Sequence, residues 1–199
     1  MSFTIKNCHI TIHFLFVAML AILLFGDKSG VACIGILAAA LHETGHLAVM
    51  RAFGVQPSKI RFTPVGIDII KSCCVNRSYQ RDALISFAGS GANIAAASFF
   101  YLFCHSMVHP FILANVVLAV FNLLPIEPLD GGQALYSMLC MKLSTDQAAK
   151  IVSITSFMIL APLAALGFIV LFRSPGNFYL LVVSVYLISL LLFKNGRYY

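Results

Sequence analysis

Residues 40–49 read ALHETGHLAV, two histidines and a glutamate inside an apolar run. On an α-helix His42 and His46 stand one turn apart on one face, so a ring nitrogen of each can reach a single metal ion. Glu43 is rotated from His42 by about 100°, beside such an ion rather than on it. A carboxylate there can take a proton from a water whose pKa zinc has lowered to about 7, as that water attacks a carbonyl. A charged side chain at mid-membrane costs about 2.5–3.5 kcal/mol on insertion scales, so Glu43 needs a cation or a wet cavity nearby. A polar helix contact inside the bundle is the competing reading. It suits a lone intramembrane histidine better than this three-residue pattern. The pairs His9/His13 and His105/His109 repeat the spacing without the adjacent acid, near the ends of apolar segments, and are not expected to bind metal.

A catalytic zinc site uses three protein ligands and one open position. Glu127 and Asp130 lie in FNLLPIEPLDGGQ (121–133), whereas Asp27, Asp68, Asp82 and Asp146 fall in expected loops. Asp130 sits at a height in its segment similar to that of His46. Gly131 and Gly132 after it permit close approach of another backbone or of substrate. Asp130 is therefore read as the third ligand. Glu127, between Pro125 and Pro128, is the weaker candidate: an acid or hydrogen-bond group lining the cavity, or a group facing water.

The elements that must carry these residues follow from composition. The chain has 199 residues, 60% hydrophobic and 10% charged, with a mean hydropathy of +0.94; soluble domains carry about 25% charged residues. Six apolar segments, 10–26, 31–53, 84–103, 111–139, 151–172 and 177–193, are long enough for a hydrocarbon core of about 30 Å. The expected class is an all-α polytopic membrane protein, about six transmembrane helices in one domain over 1–199. Pro125 and Pro128 kink or break the fourth segment. AGSGAN (88–93) opens the third with small residues that admit a neighbouring backbone. No small-x-small cleavage pattern follows the first segment, which reads as a retained helix.

Placing the N-terminus inside puts Lys6, Arg51, Lys59, Arg61, Lys71, Arg77, Arg81, Lys142, Lys150, Lys194 and Arg197 on the cytoplasmic side, against Lys28 and Arg173 outside. Both termini are thus expected to be cytoplasmic. The net charge of +6 is accounted for by that bias and by anionic lipid, and nucleic acid is not an expected partner. Between segments two and three, KIRFTPVGIDIIK (59–71) alternates and reads as a small membrane-associated β-hairpin. Its edge could pair with an extended peptide, or the stretch is an amphipathic loop resting on lipid. The six cysteines, Cys8, Cys33, Cys73, Cys74, Cys104 and Cys140, show no Cys-x-x-Cys spacing and are expected to be structural, reduced thiols.

HETGH on the second segment with NLLPIEPLDGG on the fourth resembles the site-2 protease family of intramembrane zinc metalloproteases. The Asn-x-x-Pro-x-x-Pro-Leu-Asp-Gly form is similar to its stage IV sporulation protease FB-like branch. The resemblance implies that His42, His46 and Asp130 hold Zn2+ and that Glu43 is the general base. It further implies that Asn122 positions substrate or stabilises the developing oxyanion, a helix–helix hydrogen bond being the alternative for that side chain. Departures are Glu127 within the spacer, Ser90 where relatives often have proline, no PDZ-like insertion, and an end at KNGRYY where sporulation-type relatives commonly continue into a nucleotide-sensing domain.

The function expected is intramembrane zinc endopeptidase: cleavage of a membrane-associated protein substrate in, or at the cytosolic side of, the bilayer. The resemblance alone extends this to a pro-sigma factor or other membrane-tethered transcription-factor precursor, an inhibitory or regulatory membrane partner, and a bacterial cytoplasmic membrane. A metal transporter would spread its ligands along a path and show inverted repeats. A non-catalytic metal-binding scaffold would not need Glu43.

Overall fold

The computed structural model describes residues 2–5, 8–63, 66–71, 78–103, 109–173 and 179–192. In chain order these form β1 (Ser2–Ile5), β2 (Cys8–Ile12), α1 (Phe14–Gly26), α2 (Val31–Ala52), β3 (Pro57–Thr63), β4 (Gly66–Lys71), α3 (Tyr79–Phe103), α4 (His109–Asn122), α5 (Asp130–Cys140), α6 (Thr145–Arg173) and α7 (Tyr179–Leu192). Of these, α2, α3 and α6 are long and apolar enough to cross a membrane by length and composition. The apolar helices α1 and α4 have 13 and 14 residues, about 20 Å at 1.5 Å per residue and short of the hydrocarbon thickness. Phe14 and Phe25 at the ends of α1 are 83% and 90% exposed, a surface suited to lipid rather than water. The chain is an integral membrane protein in which three helices among the described residues have full spanning length.

Several expectations are corrected. The first helix does not begin at residue 10, because residues 8–12 form β2. The stretch CHITI alternates His9 and Thr11 with Ile10 and Ile12, a period of two that favours a strand over a helix. His9 and His13 therefore do not share a helix face: His9 lies in β2, where Nδ1 meets the Thr4 hydroxyl at 3.0 Å, and His13 precedes α1. The segment 111–139 is two helices, α4 and α5, separated by residues 123–129. Asp68 belongs to β4, and Asp82 and Asp146 to the first turns of α3 and α6, rather than to loops. In such first turns a carboxylate complements the helix dipole. The readings that fell on Lys6, Pro64, Val65, Cys73, Cys74, Arg77, Cys104, His105, Lys194 and Arg197 lie outside the described residues.

The chain divides into two compact units, Met1–Ser78 with Ala88–Phe121, and Tyr79–Phe87 with Asn122–Tyr199. In the first, the hairpin expected at 59–71 is present as antiparallel β3 and β4, with Ile60 opposite Ile69 and Phe62 opposite Ile67. It is half of a four-stranded sheet of order β1-β2-β3-β4, so the helical class with one small hairpin is extended by two further strands, β1 and β2. β2 lies parallel to β3, His9 opposite Lys59 and Ile12 opposite Phe62. The ladder continues through His13 N–H, which donates to the Phe62 carbonyl at 3.0 Å. Phe16 of α1 packs on Phe62 with ring centroids 5.5 Å apart, which seats α1 on the sheet. In the second unit, Tyr136 and Cys140 of α5 and Ala148 and Val152 of α6 form a buried cluster.

Between α1 and α2 the chain turns at Asp27. Its Oδ1 accepts from the Ser29 hydroxyl at 2.7 Å and the Ser29 N–H at 2.9 Å. Its Oδ2 accepts from the Ala32 N–H at 2.7 Å, satisfying a first-turn donor of α2 that the N-cap Gly30 cannot reach. The Ser29 hydroxyl bond, ahead of the backbone bonds, holds the Asp27 carboxyl below its ordinary value. A depressed carboxyl contributes stability above its unfolded pKa and loses that contribution as pH falls through the folded one. Asp27→Ala is therefore expected to lower Tm at neutral pH. The gap to wild type should close as pH drops below the ordinary aspartate value of 3.8, as read by thermal melts of detergent-purified protein across pH.

Candidate metal centre

The buried side of α2 carries Ala38, His42, His46 and Met50, one residue per turn. His42 and His46 are 5% and 8% exposed. Their Nε2 atoms are 3.2 Å apart, with ring centroids at 4.8 Å and planes at 83°. Room for the two rings comes from α3. A Cβ at Gly89 would overlap His46 Nε2 and would lie 2.7 Å from His42 Cε1 and Nε2. On the opposing helix, a Cβ at Gly45 would lie 2.6 Å from the Ala88 carbonyl oxygen and 2.7 Å from Ala92 Cβ. Small residues in AGSGAN therefore do more than ease helix packing: they make the space the imidazoles occupy.

Asp130 is the first residue of α5, after Leu129 in extended conformation. A Cβ on Gly131 would overlap the Leu123 and Leu124 carbonyl oxygens, and one on Gly132 would overlap the Ile126 carbonyl. Both glycines accommodate the backbone of their own approach loop, where a second element or substrate was the expectation. That loop turns tightly: Ile126 N–H donates to the Leu124 carbonyl at 2.7 Å, and Leu129 N–H to the Ile126 carbonyl at 2.9 Å. It is pinned to α6 by the Glu127 N–H, which donates to Ser156 Oγ at 2.8 Å, while that hydroxyl donates to the Val152 carbonyl at 2.7 Å. Glu127 is buried at 6% exposure, so it does not face water.

His42 and His46 of the first unit and Asp130 of the second are the candidate ligands, and Glu127 is not among them. The donor set is two imidazoles and a carboxylate, which suits zinc. The Nε2–Nε2 separation of 3.2 Å is close to the roughly 3.3 Å between two corners of a tetrahedron with zinc–nitrogen bonds of about 2.0–2.1 Å. Glu43 is half-buried on α2, next to His42, and Asn122 is half-buried as the last residue of α4. Sequence reasoning did not single out Gly89 as the residue against the imidazoles, nor Ser156 as the anchor of the 123–129 loop. AGSGAN carried a signal for the first; nothing local marks the second.

The whole chain superposes on the whole of the site-2 protease from Methanocaldococcus jannaschii with a TM-score of 0.64, at 21% identity. Residues 104–163 match the model described as Peptidase family M50. A zinc metalloprotease of Methanocaldococcus jannaschii is 30% identical over 143 residues, 69% of this chain and 39% of that protein. Stage IV sporulation protein FB of Bacillus subtilis is 28% identical over 181 residues, 88% of this chain and 61% of that protein. The chain thus spans less than two thirds of either curated relative. Residues 104–163 are thus similar to Peptidase family M50, and the chain has the fold of the site-2 protease it superposes on.

Because Gly89 has no room for a methyl group, Gly89→Ala should push the imidazoles apart. Zinc affinity is expected to fall by at least about tenfold, the scale on which misoriented ligands lose metal. Competition with a calibrated chelator on the purified protein measures this, and Gly91→Ala, at a position open to a Cβ, serves as the control that keeps its zinc.

Proposed function

We propose that this protein is an intramembrane zinc endopeptidase in which His42, His46 and Asp130 hold the ion and Glu43 is the general base. The observation that carries the reading is the buried pair of imidazoles with Nε2 atoms 3.2 Å apart, with the acid that HETGH places beside His42 and with Asp130 as the carboxylate that completes the donor set. When bound, zinc supplies a Lewis acid that polarises a carbonyl and lowers the pKa of water. The two imidazoles present their Nε2 atoms to it from one helix face. Asp130 brings a negative charge that offsets the ion's. Glu43 accepts the proton of the attacking water and delivers it to the leaving amide nitrogen as the peptide bond breaks. Asn122 offers a side-chain N–H to the developing oxyanion.

The substrate in this reading is a membrane-associated protein whose segment must unwind locally, because helical carbonyls are shielded by their own hydrogen bonds. A membrane-tethered transcription-factor precursor, such as a pro-sigma factor, is the substrate class supported by the sporulation-type motif. An inhibitory membrane partner belongs to the same reading. So does a multi-pass topology in a bacterial cytoplasmic membrane, with both termini cytoplasmic.

Glu43→Gln is expected to abolish cleavage, by about a hundredfold or more as for loss of a general base, while retaining zinc. Asp130→Asn is expected to lose both. Metal content by mass spectrometry, read beside cleavage of a reporter fused to a candidate transmembrane segment, separates these outcomes from those of a transporter or scaffold, whose function would survive Glu43→Gln.

A further inference from the structure

Three polar residues of the first unit, Ser90 and Asn93 on α3 and Asn115 on α4, have no exposed surface at all. Four of their polar atoms, Ser90 Oγ, Asn93 Nδ2, Asn93 Oδ1 and Asn115 Oδ1, have no hydrogen-bond partner within the protein. The contrast with other helix hydroxyls is sharp. Ser86, Thr155 and Ser156 each donate to the carbonyl four residues back, at 3.0, 2.8 and 2.7 Å, the usual way for such a group to satisfy itself inside a helix. Ser90 does not. Asn115 uses only its amide N–H, which donates to the Phe111 carbonyl at 2.8 Å.

Helical spacing places these groups together. Gly89, Asn93 and Phe100 follow one stripe of α3 at intervals of four and seven residues. At one end of the stripe Gly89 meets the imidazoles; at the other Phe100 meets Phe111 of α4, centroids 5.1 Å apart. Asn115 lies four residues after Phe111, on the same side of α4. Consecutive helices with a short connection run antiparallel, so the steps from this aromatic pair to Asn93 and to Asn115 lead in the same direction. Ser90 is three residues from Asn93, on the same side of α3. The cluster thus sits about one helical turn from the contact between Gly89 and the histidines.

We infer that Ser90, Asn93 and Asn115 form a buried hydration site that stores water beside the histidine pair. The chemistry fits water in particular. Three acceptor oxygens and one amide donor match a molecule that donates two hydrogen bonds and accepts two, and buried waters typically make about three bonds to otherwise unsatisfied groups. Hydrocarbon offers such side chains no other solvent. The functional part of this inference rests on the protease reading: hydrolysis consumes one water per bond, and a site one turn from the imidazoles supplies it. Asn93 is then a positioning residue for water.

Pulsed X-ray radiolysis of the full chain in lipid nanodiscs, in H2(18)O, tests the site with water itself as the probe. Oxidation carrying the heavy oxygen is expected in peptides covering 89–97 and 111–119 of the wild type despite their burial. It should drop several-fold in Asn93→Leu and persist in Asn93→Ser. An unlabelled wild type, equal labelling in Asn93→Leu, or a raised Tm in Asn93→Leu, the mark of a dry unsatisfied amide removed, overturns the inference. If Asn93→Leu does not fold, Asn115→Leu decides on the same readings. For the supply role, kcat is expected to fall about tenfold, as for outer-shell partners, with KM and zinc content unchanged. Lost labelling beside an unchanged kcat overturns that role. Labelling as expected in a chain that cleaves nothing upholds the hydration site and counts against the protease reading instead.

Discussion

The structure turns on the cost of taking two imidazoles out of water. His42 and His46 are nearly fully buried on a helix of spanning length, where hydrocarbon offers no partner for a ring nitrogen. The fold meets this by bringing α3 so close that Gly89 is in contact with both rings. That approach is possible because glycine and alanine alternate with polar residues on the facing surfaces, and because Gly45 accepts the Ala88 carbonyl in return. Close helix approach in lipid is driven by packing and local polar contacts rather than by water exclusion. The same small residues that make the helices fit therefore also shape the metal group.

A different device places the carboxylate. Asp130 opens α5, and its position is set by a tightly folded loop whose carbonyls press on Gly131 and Gly132. The Pro125 and Pro128 ring constraints stop the fourth apolar segment from continuing as one helix. The Ser156 hydroxyl then takes the freed Glu127 N–H, so the broken backbone is satisfied by protein rather than left bare in lipid, the condition under which such breaks survive at membrane depth. Irregular backbone and metal-ligand geometry are thus one feature, since a continuous helix would carry residue 130 on a different bearing.

The sheet shows how an amphipathic N-terminal stretch can be drawn away from the bilayer's helical solution. Residues 8–12 are apolar enough to extend the first segment, but their alternation suits a strand, and β3 offers an unpaired edge for it. Pairing satisfies their backbone groups as well as a helix would. It leaves β1 and β4 as the edges of the sheet, and the start of α1 is anchored through Phe16 on Phe62.

Local pattern was enough for much of this. The one-turn spacing of His42 and His46, the adjacent Glu43, the break at Pro125 and Pro128, the β3–β4 hairpin and the helical runs of α2, α3 and α6 all follow from periodicity, proline sterics and hydropathy, which act over a few residues. Asp130 was separable from the other acids because it alone combined a membrane-depth position with two following glycines. Other features depended on partners far away in the chain. β2 is a strand because β3 is there to pair with it. Gly89 matters because of what α2 presents to it, and Ser156 because a loop 29 residues earlier needs an acceptor. The burial of Ser90, Asn93 and Asn115 is likewise invisible in their own neighbourhoods, since a polar residue on an apolar helix has the same local pattern whether it faces lipid, a helix or water. The sequence by itself determined which side chains could do chemistry and where the long helical runs lie; tertiary structure decided which of them meet and that residues 8–12 are a strand, because contact across elements is set by packing and pairing between surfaces that no single segment contains.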